Sequence, residues 1–209
     1  TDYAELFIQI IKSFLAQNER AANVQNDLGQ TALHILSSKF LDLISKSNKE
    51  SFLNLCKCFA FNGSTSINMQ NNEGQTPLMI IAENYKPDMA YHCKDIFIEL
   101  ISLLQSKNNI NLTDNKNNTV LHTITRKIYQ DPSLGTAMME ILPKIISLNV
   151  DTLDENGVTP YTWILKGKKE HDDNSSVKDI FSKIEGLFLK KSTDLDSAEG
   201  GLENTNSIF

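Results

Sequence analysis

The chain has 209 residues, 40% of them hydrophobic and 22% charged, which is typical of a protein that buries an apolar core. No stretch approaches the roughly 20 consecutive apolar residues that a helix needs to cross a bilayer. The first residues carry no basic segment of a signal peptide. We therefore expect a water-soluble chain without a membrane partner. Because it begins with Thr1, we expect upstream sequence to have been removed.

The net charge of −6 argues against nucleic acid as a partner. A duplex-binding protein needs a basic face to displace counterions from phosphates, whereas this chain has 20 basic and 26 acidic residues. Its three cysteines, Cys56, Cys58 and Cys93, are an odd number without the spacing of a disulfide framework, which is typical of a reducing compartment. We expect a cytoplasmic protein with no nucleic-acid partner and no cofactor.

One eight-residue pattern occurs four times. Each copy has Asp or Asn first, Gly or Asn fourth, Thr sixth and Leu or Tyr eighth, and an apolar stripe with helical spacing precedes it. The copies are residues 26–33, 71–78, 114–121 and 154–161.

The pattern predicts a tight turn that leads into a helix. Glycine occupies the fourth position of three copies, where such a turn favours positive φ, and Asn117 is the non-glycine residue that best tolerates this conformation. Threonine suits the N-cap, because its hydroxyl can bond a free N–H of the first helical turn. Pro77 and Pro160 follow at the first helical position, where a missing N–H costs nothing. The predicted N-caps are Thr31, Thr76, Thr119 and Thr159.

The pattern resembles the ankyrin family, whose repeat carries D-x-x-G-x-T-P-L-H-x-A before a second helix with an apolar stripe. Such stripes lie at residues 52–56, 96–104 and 138–148. The resemblance covers the chain from about Tyr3 to Leu189. It implies an all-α solenoid of about four elongated helix-turn-helix repeats with hairpin-like turns, plus flanking partial helices. The implied divisions are 1–22 (a truncated repeat or N-terminal capping helix), 23–66, 67–109 and 110–149 (repeats), 150–190 (a C-terminal capping repeat) and 191–209 (an acidic tail or linker).

The copies depart from the family pattern in two ways. Successive threonines are about 40 to 45 residues apart, whereas an ordinary ankyrin repeat has about 33 residues. Met79 and Thr162 replace the histidine of the pattern, which weakens its expected internal hydrogen bonds. The extra residues fall between the helices of each unit, in connections expected at residues 45–50, 85–92, 129–135 and 167–176.

Few residues suggest chemistry, and we expect neither a catalytic nor a metal site. The resemblance implies that His34 and His122 bond the backbone or threonine of a neighbouring turn. Cys56 and Cys58 are two residues apart on a predicted helix and diverge by about 200°, so they cannot hold one metal together.

Two further features leave alternatives open. His92 and Cys93 are the side chains of a thiol nucleophile or a zinc site, although nothing in the sequence aligns them. Trp163 is either a core residue of a capping repeat or a binding hot spot, and its burial distinguishes the two.

A solenoid leaves one concave face of turn tips and first helices. By resemblance, its exposed positions flank the turn glycine and lie further along the first helix. Their side chains are mostly amide and charged. The basic region among them could bind an acidic or phosphorylated segment of a partner. The alternative is that these side chains are only solvated and bind no partner. The loop from Tyr85 to Tyr91 is a second candidate surface. The implied partner-binding residues are Asp27, Leu28, Gln30, Lys39, Asn72, Glu73, Gln75, Glu83, Asn115, Lys116, Asn118, Arg126, Lys127, Glu155, Asn156 and Lys166.

These features favour a monomeric, non-catalytic scaffold or adaptor that binds another protein on its concave face. One alternative is the targeting portion of a larger, enzymatic effector. The richness in Asn, Ile and Lys resembles ankyrin proteins that intracellular bacteria deliver into the host-cell cytoplasm. A third hypothesis places a catalytic pocket around His92 and Cys93.

Overall fold

The computed structural model describes residues 3–43, 48–62, 66–86, 91–105, 110–145 and 150–199. All regular secondary structure in these segments is helical, which confirms the expected all-α class. Two short 3-10 helices cover Glu19–Asn23 and Ser66–Asn68. The α-helices are α1 (Tyr3–Gln17), α2 (Ala32–Ser38), α3 (Phe40–Leu43), α4 (Lys49–Asn62), α5 (Pro77–Asn84), α6 (Tyr91–Leu104), α7 (Val120–Gln130), α8 (Ser133–Met138), α9 (Leu142–Ile145), α10 (Pro160–Glu170) and α11 (Ser175–Glu199).

The four helices that follow the repeated pattern begin directly after the predicted N-cap threonines. The Thr76 hydroxyl accepts a hydrogen bond from the N–H of Met79 at 3.3 Å, and Thr159 accepts one from Thr162 at 3.2 Å. Proline occupies the first position of α5 and α10. Local sequence therefore determines where α2, α5, α7 and α10 start.

These four helices form one layer, in which α2 contacts α5, α5 contacts α7, and α7 contacts α10. The longer helices pack beside them, with α1 against α4, α4 against α6, and α11 against α8 and α10. A continuous apolar core between the two sets extends from Leu33 to Phe188. A smaller cluster of Ile8, Leu15, Ala22 and Cys58 holds α1 in place.

The apolar stripe of residues 138–148 does not form one helix. Residues 139–141 are a turn between α8 and α9. Pro143 explains the interruption, because it has no N–H for a helical bond and its ring crowds the preceding turn. The connection expected at residues 129–135 is correspondingly short, since α7 continues to Gln130 and α8 begins at Ser133.

Helix α11 is longer than the stripe that predicted it. Its backbone continues to Glu199, past residue 190, where the sequence suggested an acidic tail. Residues 200–209 lie outside the described part of the chain. Among the described helices, none combines the length and the apolarity needed to cross a membrane.

Candidate protein-binding face

One hydrogen-bond arrangement holds all four repeated turns. In the first turn, Oδ1 of Asn26 accepts from the backbone N–H groups of Leu28 at 3.1 Å and Gln30 at 2.9 Å. The same two bonds occur in the other turns at 2.8 to 3.0 Å, with Asn71, Asp114 and Asp154 as the acceptors. The first residue of the pattern is therefore an Asx acceptor. We did not predict this role from the sequence, although the recurrence of Asp or Asn was the available signal.

The fourth position of each turn has the left-handed conformation that its residue type predicts. The φ values are +70° at Gly29, +76° at Gly74, +70° at Gly157 and +59° at Asn117. A Cβ added to Gly74 would lie 2.7 Å from the backbone nitrogen of Asn115, whereas one added to Gly157 would meet nothing within 4 Å. Close approach of the next turn thus adds a second requirement for glycine in the first two turns, at Gly29 and Gly74, whereas the third turn accommodates Asn117.

The turns are joined one to the next through their backbones. Side-chain amides reinforce the first two junctions, because Nδ2 of Asn72 donates to the Asp27 carbonyl and Nδ2 of Asn115 to the Asn72 carbonyl, each at 2.9 Å. At the third junction Glu155 has no amide donor. The backbone bonds run from the N–H of Asn72 to the carbonyl of Leu28 (3.0 Å), from Asn115 to Glu73 (3.0 Å) and from Glu155 to Lys116 (2.9 Å).

Two buried histidines fasten a helix start to the following turn. In the His34 ring, Nδ1 accepts from the N–H of Thr31 at 3.1 Å, and Nε2 lies 2.9 Å from the carbonyl oxygen of Gln75. An acceptor at Nδ1 requires the ring proton on Nε2, which then donates to the carbonyl. His122 makes the equivalent contacts. Burial lowers the pKa of both imidazoles, although their backbone acceptors act in the opposite direction.

Most of the predicted partner-binding side chains are exposed. Gln30, Gln75, Arg126 and Lys127 are half-buried. Asn118 requires a correction, because it is only 6% exposed and its Nδ2 lies 3.2 Å from both carboxylate oxygens of Asp114. Its amide serves the turn and is not available to a partner. The exposed members are Asp27, Leu28, Lys39, Asn72, Glu73, Glu83, Asn115, Lys116, Glu155, Asn156 and Lys166.

A groove of about 310 Å³ lies between the first two turns and helices α2 and α5. Leu28 stands in its lining with 62% of its surface exposed, and the buried Ile80 lines it too, so the groove offers two apolar side chains among polar groups. The Asn84 amide donates to the carbonyls of Ile80 at 3.0 Å and Ser37 at 3.3 Å and thereby links the two helices. Six predicted binding residues line the groove: Leu28, Gln30, Asn72, Glu73, Gln75 and Glu83.

The charges of this face differ from the expected basic region. Arg126 pairs with Glu83 at 3.6 Å, and Nζ of Lys127 donates to the carbonyl of Tyr85 at 3.0 Å. Burial lowers the pKa of Lys127. Of the three basic residues in the expected region, Lys116 is the exposed one, and its ammonium makes no hydrogen bond or ion pair within the described residues. Glu73, in contrast, is exposed and gives the groove a negative charge.

An aromatic and cationic cluster extends the face on α7 and α10. The rings of Tyr129 and Trp163 are 5.0 Å apart, and Nζ of Lys166 lies 5.0 Å from the Trp163 ring. The Tyr129 hydroxyl donates to the Glu170 carboxylate at 2.8 Å, and this hydrogen bond raises the pKa of Tyr129. Trp163 is half-buried and so is not a core residue. We did not predict these contacts of Tyr129 from the sequence, because we expected a connection between helices to begin there.

The thiols with described surroundings are buried. Cys56 and Cys58 belong to separate apolar clusters, as their divergence on one helix requires. Burial raises the pKa of Cys56 to about 12, so its thiol stays protonated near neutral pH. The side chains of His92 and Cys93 lie outside the described residues, and the hypothesis about them stays a prediction. In the part of the chain that is described, no group of three or more His, Cys, Asp or Glu side chains could hold a metal ion.

Comparison of the sequence with models of known protein families and with curated proteins finds no match. The function must therefore be argued from the geometry of this face.

Proposed function

We propose that this chain is an ankyrin-repeat protein that binds another protein on the face formed by the four turns and by helices α2, α5, α7 and α10. The observation that carries the proposal is the row of four equal turns joined by backbone hydrogen bonds. Each turn presents two adjacent exposed side chains at its second and third positions. Since the Asx acceptor and the backbone hold the turn, the third position can serve recognition without endangering the scaffold, whereas Asn72 and Asn115 at the second position also bond the preceding turn.

A non-catalytic role agrees with the hydrogen bonding of the two buried histidines and with the protonation of the buried thiol. The imidazoles of His34 and His122 are engaged on both nitrogens, and the buried Cys56 thiol is protonated. A general base or a nucleophile needs a reactive group that can reach a substrate. Free buried thiols also agree with a reducing compartment such as the cytoplasm, which we propose as the site of action.

The groove indicates the chemistry of the partner. Exposed Glu73 favours a basic or amide donor, and Leu28 favours an apolar side chain beside it. The ring pair of Tyr129 and Trp163 provides a second contact, of the residue types that are enriched in hot spots. We propose that a polypeptide segment of mixed apolar and basic character lies along the face from the groove toward α10. This differs from the acidic segment expected from the sequence, because Arg126 and Lys127 have partners within the molecule.

The test compares two double variants of matched chemistry. The groove variant carries Leu28→Ser and Glu73→Arg. The control variant carries Phe61→Ser and Asp95→Arg, which are the same kinds of change at exposed positions of α4 and α6. Thermal melts first establish that both variants fold. The wild type and both variants then capture proteins from a cell extract, and each captured protein is purified for a direct binding measurement.

We expect a partner whose affinity falls at least about 10-fold for the groove variant, as for a loss of hot-spot contacts, and stays unchanged for the control. A partner that binds all three chains equally would exclude the groove as its site. Loss of binding only in the variant on α4 and α6 would mean that the partner binds these two helices and not the groove.

A further inference from the structure

The aromatic pair on α7 and α10 already carries a cation from the chain itself. The Nζ atom of Lys166 lies 5.0 Å from the centre of the Trp163 ring and 5.8 Å from that of the Tyr129 ring. Both distances are within the roughly 6 Å over which the negative face of a ring attracts a cation. The two rings, 5.0 Å apart and tilted by 46°, therefore form a position for one positive charge.

Helix geometry explains why these groups meet. Trp163, Lys166 and Glu170 are separated by three and four residues, which places them on one side of α10. Tyr129, near the end of α7, reaches the same side, and its hydroxyl oxygen lies 2.8 and 3.0 Å from the two carboxylate oxygens of Glu170, to which it donates. This hydrogen bond holds the Tyr129 ring in place and keeps a carboxylate next to the ring pair.

Lys166 can leave this position easily. Its side chain is exposed, and within the described part of the chain its ammonium makes no hydrogen bond or ion pair besides the two ring contacts. The attraction between a ring and an exposed cation is small, because water competes for the ammonium. The rings can therefore exchange Lys166 for another cation.

The charge of the site favours a cation as the incoming group. The faces of both rings are negative, and the exposed Glu170 carboxylate accepts from the Tyr129 hydroxyl without losing its charge. The nearby Lys168 is paired with Glu185 and is not directed at the rings. An ammonium on a flexible apolar stem, as in Lys166, is the occupant that the structure itself shows.

We propose that the ring pair is a subsite for a lysine side chain of the partner, which displaces Lys166 and takes its place over Tyr129 and Trp163. The inference rests on the proposed function, since this lysine belongs to the basic segment that lies along the face. It reverses the role expected for Lys166, which competes with the partner instead of contacting it. An internal competitor lowers the apparent affinity according to the fraction of molecules in which it occupies the site.

The fluorescence of Trp163 provides the test, because this residue is the single tryptophan of the chain. The probe is n-butylammonium, which reproduces the lysine side chain, and n-butanol is its neutral counterpart. Both are titrated into the 209-residue chain at constant ionic strength. Lys166→Met removes the internal ammonium and keeps an unbranched stem. Lys169→Met removes an equal charge from an exposed position of the same helix and is the matched control.

We expect a saturable change of emission with n-butylammonium and none with n-butanol. Lys166→Met should bind n-butylammonium at least about 3-fold more tightly than the wild type, whereas Lys169→Met should differ from it by less than about 2-fold. Glu170→Gln, added to Lys166→Met, keeps an acceptor for the Tyr129 hydroxyl but removes the negative charge. It should weaken binding of the probe by about 2-fold.

Two results would overturn the inference. An affinity that is equal or lower in Lys166→Met would mean that Lys166 does not compete for the rings. Equal responses to n-butylammonium and n-butanol would mean that the rings bind the apolar stem and not the charge. Neither result bears on the groove, which the capture experiment with Leu28→Ser and Glu73→Arg tests separately. Conversely, a probe that binds as expected, with no partner captured, would support the ammonium subsite and contradict the proposed function.

Discussion

The Nε2 atom of His34 lies 2.9 Å from the carbonyl oxygen of Gln75, a residue of the next turn along the chain. Since Nδ1 of the same ring accepts from the N–H of Thr31, one side chain joins a helix start to the following turn. His122 repeats this connection with Val158 at 3.1 Å. Met79 and Thr162 occupy the equivalent positions of the other two copies. Buried imidazoles therefore reinforce two of the four units.

These histidines make stability depend on pH. Both have a folded-state pKa below the ordinary value of 6.5, chiefly through burial. Between the folded pKa and about pH 6.5 the unfolded chain therefore binds more protons than the folded chain, so the free energy of unfolding falls as the pH is lowered through this range. Well above pH 6.5 both states are neutral at these residues, and the two histidines contribute no slope. Urea unfolding between pH 5 and 8 should show this decline.

The matched control for the pH effect carries His34→Met and His122→Met, which copy the residue of the second unit. Its stability should be lower at pH 8 but should change less between pH 7 and 5. A decline that is equally steep in this variant would assign the effect to other groups.

The single substitution His34→Ala should lower the free energy of unfolding by about 2 to 4 kcal/mol, because the N–H of Thr31 and the carbonyl of Gln75 both lose a buried partner. Equilibrium unfolding at pH 8, where the imidazole is neutral, measures this loss. A loss below about 1 kcal/mol would mean that water replaces both contacts.

The local geometry of the turns could be predicted from the sequence, but the arrangement of distant residues could not. The positive φ of Gly74 and the N-cap role of Thr76 follow from residue type, because few residues adopt or satisfy these conformations. The pairing of Lys127 with the Tyr85 carbonyl, and of Arg126 with Glu83, depends on how α5 and α7 pack. Neighbouring residues in the sequence do not signal either contact. The sequence analysis therefore expected more free positive charge in this region than the structure shows.

The turn glycines should differ in their tolerance of alanine. In both Gly74→Ala and Gly157→Ala the left-handed conformation is strained by roughly 1–2 kcal/mol. The new Cβ of Gly74→Ala also meets the Asn115 nitrogen, which donates to Glu73. We expect Gly74→Ala to lose at least about 1 kcal/mol more than Gly157→Ala. Denaturant titration of the two variants measures the difference, and equal losses would show that the turns do not constrain one another.

At Asp114, the hydrogen-bond acceptor should contribute more to stability than the negative charge. Asp114→Ala removes the oxygen that holds the N–H groups of Lys116 and Asn118, and we expect a loss of about 2 to 3 kcal/mol. Asp114→Asn keeps an acceptor at the same place, as Asn26 and Asn71 do in their turns. It should lose less than about 1 kcal/mol. Thermal and urea unfolding can rank the two variants, and a reversed order would mean that the charge carries the effect.

Replacing Trp163 should weaken partner binding strongly but lower the stability of the fold only moderately. Its half-buried ring contacts Tyr129 and lies under the Lys166 ammonium, but it is not part of the buried core. Trp163→Ala should weaken partner binding by roughly 30-fold, as for a hot-spot aromatic. Its loss of stability should be smaller than the 3–5 kcal/mol of a buried aromatic. A binding titration and a denaturant titration on the same preparation check both expectations. Full affinity with a large loss of stability would instead assign Trp163 to the structure of α7 and α10.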